Sequence, residues 1–347
     1  MVILLVLILI MITGPERLEE ELLRRREQET DAALSAPAAS SARSSSGVYG
    51  QNDRLAASGE SPARIGSVVY GQLDGLAGSG QYGGGAEAGR KLLIASVLTR
   101  EQCRSAEGAG ADRIADDSQS FLLAGEAALL AFPHVVRISD RAWMKEALER
   151  LGRGQYQGAL VRNLESLAFL RLHGYTGVIL ADAPVYVWNR AAREQILTWA
   201  DACVQPLELS GREIEESFAP PCGVMTVYGR IPLMVTAGCV RRTEQSCRGE
   251  EQGFWFLKDR QNTRFPVRTV CRHCYNVIYN SVPLSLHRHM GESLARQSGA
   301  FLLGFSTEDG AETAAVTRSF RQMADTGAAG DIPVPAHTGG HYRKGAL

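Results

Sequence analysis

From Lys91 onward the chain alternates short apolar runs with amphipathic stretches, and this rhythm restricts the fold more than any other feature. Strand-like runs stand at Leu92–Leu98, Arg113–Ala115, His134–Ile138, Ala159–Arg162, Gly177–Ala181, Cys203–Leu209, Val224–Tyr228 and Ala300–Phe305. Helical periodicity lies between most of them; in Arg141–Leu151, Trp143, Ala147, Leu148 and Leu151 share one face. Eight such units between residues 91 and 325 match the size of a (β/α)8, TIM-like barrel. An open, doubly wound sheet is the alternative. Its first strand, however, would be followed by Thr99-Arg100-Glu101-Gln102 rather than a glycine-rich phosphate turn.

The ninety residues before this pattern read differently. Met1 to Thr13 is almost purely apolar, and Gly14-Pro15 breaks the run. As a helix it would span about 20 Å, short of the roughly 30 Å of a bilayer core. No basic residue precedes it and no small-residue cleavage site follows, so neither a membrane anchor nor a signal peptide is favoured, and the expected compartment is the cytoplasm. A buried strand at the end of an upstream domain is the other reading. Pro15 to Thr30 predicts a helix, with Glu16, Glu19, Glu20 and Glu21 preceding Arg24, Arg25 and Arg26 along its dipole. Residues 31–90 are dominated by Ala, Ser and Gly, the composition of a disordered linker. Residues 326–347 read as a flexible tail.

Four of the seven cysteines fall within one segment: Cys239, Cys247, Cys271 and Cys274. Thiolates gathered this way either pair or hold a metal. A chain of 347 residues, 45% hydrophobic, can bury a core without staples, and an odd number of cysteines suits full pairing poorly. The expectation is therefore a four-cysteine metal-binding insertion, residues 230–285, within the barrel. Cys271-Arg272-His273-Cys274 has the spacing of a zinc knuckle, but Cys239 and Cys247 lie too far apart for a second one. Irregular spacing is common among iron–sulfur ligands. Spacing leaves zinc and a cluster equally open. Phe254–Leu257 and Phe265–Arg268 flank Asp259-Arg260-Gln261-Asn262 and predict a hairpin between the two cysteine pairs. His273, inside the knuckle, is expected to face solvent.

Net charge is −1, which excludes polyanion binding through bulk charge. Locally the balance differs: residues 230–275 carry nine Lys or Arg against four acids, interleaved with Phe254, Trp255, Phe256, Phe265 and Tyr275. Such a segment suits RNA phosphates and bases. It equally suits an exposed hairpin whose arginines screen bound thiolates.

The stretch Val227-Tyr228-Gly229-Arg230-Ile231-Pro232-Leu233-Met234-Val235 to Cys239, followed by Leu257-Lys258-Asp259-Arg260, Phe265-Pro266-Val267 and Cys271-x2-Cys274-Tyr275-Asn276, resembles peptidase family U32, the collagenase-like proteins. Gly229 and Cys239 match the family motif, whereas Thr226 replaces its Phe, Pro232 a Cys and Ala237 a Gly. The likeness runs roughly from Lys91 to Gln322, and it looks like the C-terminal module of the long clostridial members, which would make this chain a piece of a longer protein. The resemblance implies a (β/α)8 barrel and a 4Fe-4S cluster on the four cysteines, with zinc as the alternative. It also implies oxygen-independent hydroxylation of RNA bases or of a small aromatic, with a small-molecule hydroxyl donor such as prephenate. The older family name implies a peptidase instead. Near the end, members carry a Lys-x-Glu-Gly-Arg phrase where Phe301-Leu302-Leu303-Gly304-Phe305-Ser306 stands here. That departure keeps a third reading open, a zinc-stabilised barrel that binds RNA or a partner without turnover.

In a parallel barrel the reacting groups belong at the C-terminal ends of strands. That rule nominates Arg137, Arg162, Asp182, Glu208 and Tyr228 as catalytic candidates, with Asn163 and Asn189 for substrate binding. Arg137 and Arg162 could clamp a carboxylate or phosphate, or form salt bridges to Asp182 or Glu208. Asp182 and Glu208 could act as acid and base or cap helices. Tyr228 could stack on a ring or close the barrel mouth. No Gly-x-Ser-x-Gly or His-Glu-x2-His is present, and Cys203 and Cys222 have no sequence-identifiable histidine partner. His287 and His289 are expected at the surface.

Overall fold

A computed structural model describes residues 91–345 apart from 127, 218–222, 245–246, 248, 250–252, 294 and 296–297. The expected N-terminal strand or anchor, helix and linker lie outside those residues, as does Cys222.

Eight parallel strands close into a barrel. They are β1 (Leu92–Val97), β2 (Arg113–Asp116), β3 (Leu129–Ala131), β4 (Gly158–Val161), β5 (Val178–Ala181), β6 (Ala202–Val204), β7 (Gly223–Gly229) and β13 (Ala300–Gly304). Each pairs in parallel with its neighbours in the order β7-β13-β1-β2-β3-β4-β5-β6. Cys203 opposite Gly223 and Val204 opposite Val224 complete the circle, which excludes the open sheet. The interior is a packed layer of side chains from alternate positions, including Ile94, Ala115, Leu129, Leu160, Leu180, Val204, Val224 and Leu302. Helices cover the outside: α1 (Arg100–Gly108), α2 (Arg141–Gly152), α3 (Leu164–Leu172), α4 (Arg190–Ile196), α5 (Gly211–Ser217) and, after β13, α7 (Gly310–Thr326). Their starts are written locally. Thr99, Asn163, Asn189 and Asp309 each accept a hydrogen bond from a backbone N–H of the first turn.

One strand departs from the sequence reading. His134–Ile138, the β-branched segment, is loop and a short 3-10 turn, and the third strand is Leu129–Ala131. Burial on both faces favours that fully buried Leu-Leu-Ala run over residues with higher intrinsic strand preference, because strand propensity is mostly a measure of context.

Between β7 and β13 the chain inserts a second, antiparallel sheet ordered β8-β11-β10-β9. Its strands are β8 (Pro232–Thr236), β9 (Phe254–Lys258), β10 (Arg264–Val270) and β11 (Tyr275–Tyr279), with a short helix α6 (Val240–Glu244) after β8. β9 and β10 form the expected hairpin, and Asn262 takes the left-handed conformation its turn requires (φ 66°). A two-residue strand, β12 (Leu284–Ser285), then pairs antiparallel with β7 and returns the chain to the barrel. The segment after α7 is tied to this return: Thr338 bridges Leu284, and Tyr342 is buried. No helix among the described residues is long and apolar enough to cross a membrane.

Candidate active site

The C-terminal ends of the strands and the inserted sheet enclose a cavity of about 330 Å3. That lies at the small end of ligand pockets. Its floor is a chain of ion pairs. Arg162, one residue beyond β4, holds Asp117 through two hydrogen bonds (Nη1–Oδ1 2.7 Å, Nη2–Oδ2 2.9 Å) and Asp182 through a third (Nε–Oδ2 2.9 Å). All three residues are buried. Arg268 descends from β10 of the inserted sheet to stand 3.6 Å from Asp117 Oδ1, and it donates to the Asp117 carbonyl at 2.9 Å.

These charges set one another. Burial works against the Asp117 carboxylate, but Arg162 and Arg268 outweigh it and hold the carboxyl well below the usual range. Burial likewise opposes the Arg162 charge, and Asp117 with Asp182 overrides it, keeping the guanidinium firmly protonated. His134 stands beside them at the cavity edge. Desolvation and the Arg162 and Arg268 charges push its imidazole down to about 3, against the pull of Asp117. The His134 backbone N–H donates to the Tyr275 hydroxyl of β11 at 3.2 Å, a second tie between sheet and barrel.

The nominated residues therefore divide. Arg162 and Asp182 reach the cavity but are engaged with each other, and Asp182 also accepts from Ala183 N–H, capping the turn that follows β5. Glu208 lines the cavity, and its carboxylate has no hydrogen bond or ion pair among the described residues. Tyr228 lines the wall but sends its hydroxyl outward to Glu308 (3.0 Å). Its ring lies between Phe305 and Phe320, and burial followed by Glu308 raises the phenol. Asn163 and Asn189 cap α3 and α4 and do not line the cavity. Arg137 is also absent from the lining, since the strand whose end would have presented it does not form. Cys203 points into the outer core, where burial pushes its thiol up to about 11, the opposite of an activated nucleophile.

Sequence reasoning missed Asp117, His134 and Arg268. The strand-end rule reaches the first two once the strands are placed correctly, because Asp117 follows β2 and His134 follows β3. Arg268 had no such signal: it comes from the insertion and arrives only through docking.

The rim is apolar. Tyr186, in a left-handed conformation (φ 56°) that strains any non-glycine residue, is 57% exposed there, and Leu233 and Met234 of edge strand β8 are 54% and 56% exposed. Arg230 holds the opposite wall, donating to Thr307 Oγ1 at 3.0 Å and to the Ser281 carbonyl.

A second hollow, of about 440 Å3, lies in the inserted sheet and is lined by all four nominated cysteines. The pairing explains the meeting. Thr236 at the end of β8 lies opposite Asn276 at the start of β11, so Cys239 arrives beside the β10–β11 turn that carries Cys271 and Cys274. Asn276 Nδ2 donates to the Gly238 carbonyl at 2.7 Å and holds the two ends together. Cys274 takes the left-handed conformation (φ 52°) that closes the turn. His273 is not at the surface: it is buried against Trp143, with Nδ1 3.0 Å from Asp140 Oδ1. His287 and His289 are buried as well, against the expectation of surface positions. Among the described residues, no group of three or more His, Cys, Asp or Glu converges closely enough for a single metal ion. The six described cysteines are thiols rather than disulfides.

The fold and cavity define a (β/α)8 barrel with a pocket at its mouth. No protein-family model matches the sequence, and no curated protein does. A solved chitinase from Chromobacterium violaceum ATCC 12472 is similar over 70% of this chain and 100% of its own, at 11% identity and a TM-score of 0.32, a likeness too slight to bear on function.

Proposed function

We propose that the chain is a U32 peptidase-like barrel enzyme whose four cysteines hold an iron–sulfur cluster and whose cavity takes a nucleobase or small aromatic for oxygen-independent hydroxylation. The observation that carries this reading is the gathering of Cys239, Cys247, Cys271 and Cys274, from separate segments, around one hollow. Four thiolates on a single zinc would be drawn to about 3.8 Å of one another by 2.3 Å bonds. A cluster spreads its ligands over separate corners, which suits cysteines contributed from separate segments. Such a cluster supplies electron transfer when bound.

The protein's own groups support a substrate of this class. A cavity of about 330 Å3 admits one ring system and not a folded chain. Tyr186, Leu233 and Met234 offer a ring an apolar face, and the uncommitted Glu208 carboxylate accepts from an N–H or O–H. The Asp117–Arg162–Asp182 chain keeps the floor rigid rather than clamping an anion, since the guanidinium is already neutralised. Peptide hydrolysis draws little from these residues. A serine hydrolase needs a basic imidazole, and His134, neutral down to about 3, is a weak base.

The test is purification without oxygen, followed by absorbance and a count of iron, sulfide and zinc per chain. Brown protein with about four irons, lost on replacing any of the four cysteines, is expected. Colourless protein with one zinc would overturn the cluster and leave the structural, RNA- or partner-binding barrel. Mass spectrometry of RNA from cells with the native chain or Glu208→Gln then reads the hydroxylation itself.

A further inference from the structure

We propose that the flank of the barrel beside β12 is a binding site for a phosphate group. After Ser285 the chain makes a 3-10 turn, His287–His289, and the C-terminal segment comes back against it. The Ser285 N–H donates to the Thr338 carbonyl (2.8 Å) and the Thr338 N–H to the Pro283 carbonyl (2.9 Å). Gly340, at φ 58°, turns the chain over Leu284, where a Cβ would come 3.0 Å from a methyl group.

The result is a hollow of about 450 Å3 lined by His287, Arg288, His337, His341, Arg343 and Lys344. It shares no lining residue with the barrel cavity or the cysteine hollow. His287 is 3% exposed, yet only its Nδ1 is engaged, at 2.9 Å from Ser285 Oγ; Nε2 has no hydrogen bond among the described residues. His337 packs edge-on against it at 4.7 Å, and its buried Nδ1 has no partner there either. Arg288, Arg343 and Lys344 are exposed, with no ion pair among the described residues. Of the nearby acids, Glu292 is taken by His289 (2.6 Å) and the Tyr342 hydroxyl (3.0 Å), and Glu213, beside Gly345, accepts from the Ser210 N–H and hydroxyl (2.7 Å each), which leaves Asp331 as the carboxylate acting on His287.

Unpaired donors around a hollow, with excess positive charge, describe an anion site. Burial, then His337 and Arg288, hold the His287 imidazole below its usual value, so the cluster repels further protons until a counter-charge arrives. A metal dication would meet three fixed positive charges, and no metal-binding group of three converges among the described residues. Phosphate matches the donors better: it offers several strong acceptor oxygens, which guanidinium forks and a lysine engage directly.

The test uses the full chain and inorganic phosphate, followed by imidazole NMR signals and calorimetry at low salt. A saturable shift of the His287 and His337 signals is expected. Arg343→Ala combined with Lys344→Ala should weaken binding by about tenfold or more without moving the thermal midpoint, since both side chains are exposed. No saturable shift up to about 10 mM phosphate, or a shift indifferent to those substitutions, overturns the proposal; so does zinc binding in place of phosphate. A single-stranded RNA oligonucleotide distinguishes the source. Displacement of phosphate with a steep salt dependence assigns the site to a phosphodiester backbone, and no displacement assigns it to free phosphate or a monoester. Neither outcome depends on the metal content of the cysteine hollow.

Discussion

The barrel and the sheet inserted into it are held together by different physics. The barrel has two apolar layers, one inside the strands and one between strands and helices, built from fully buried residues such as Ile94, Leu160, Phe132 and Phe320. The insertion has a core of four buried residues, Val270, Tyr275, Val277 and Tyr279, while Leu233, Met234, Phe256 and Leu257 stay exposed on its edge strands. A sheet this small cannot stabilise itself by burial alone. It leans instead on named polar contacts to the barrel, chiefly Arg268 to the Asp117 carbonyl and the His134 N–H to the Tyr275 hydroxyl. The cavity lies where the two meet, so its upper wall belongs to the region with the smaller apolar core.

The sharpest way to break this contrast is Arg162→Met. It would leave Asp117 and Asp182 buried without their shared counter-charge, and the expected loss is about 3–5 kcal/mol in urea unfolding. A much smaller loss would mean that the ion-pair floor is not part of the barrel's core.

Acid should act next. The folded-state pKa of His134, about 3, lies below the unfolded value near 6.5, so its contribution is present above pH 6.5 and declines as pH falls toward 3. Asp117, also depressed, adds a loss only below about pH 4. Urea midpoints across this range should fall steadily with acid, and His134→Gln should flatten the upper part of the slope.

Arg268→Ala tests the fastening. A loss of about 2 kcal/mol is expected, from hydrogen bonds made by a charged donor, accompanied by proteolytic cleavage within residues 230–280 while the barrel stays intact. Uniform protection after this change would show that the two regions unfold as one unit.

Smaller effects separate capping from function. Asn189→Ala removes an exposed helix cap and should cost about 1 kcal/mol. Glu208→Gln, which breaks no hydrogen bond or ion pair among the described residues, should change stability by less than about 0.5 kcal/mol while abolishing the hydroxylation proposed above.

The sequence by itself determined the barrel. Alternating apolar runs and helical faces carry the (β/α)8 pattern because each unit buries its own strand and helix locally, whereas Asn163 and Asn189, expected to bind substrate, proved to be helix caps. It failed at Leu129–Ala131, where a neighbour-enforced strand of ordinary composition outcompeted a β-branched segment. That single slip nominated Arg137 in place of His134. Glu208 and Arg162 were legible from the strand-end rule, but their different states were not. Only tertiary structure decided that Arg162 is neutralised by Asp117, 45 residues away, and that Arg268 arrives from the insertion, whereas the four cysteines expected to share a site do line one hollow. Local pattern encodes which face is apolar. The pairing of buried charges and the docking of one sheet on another depend on distances that exist only once the chain has closed.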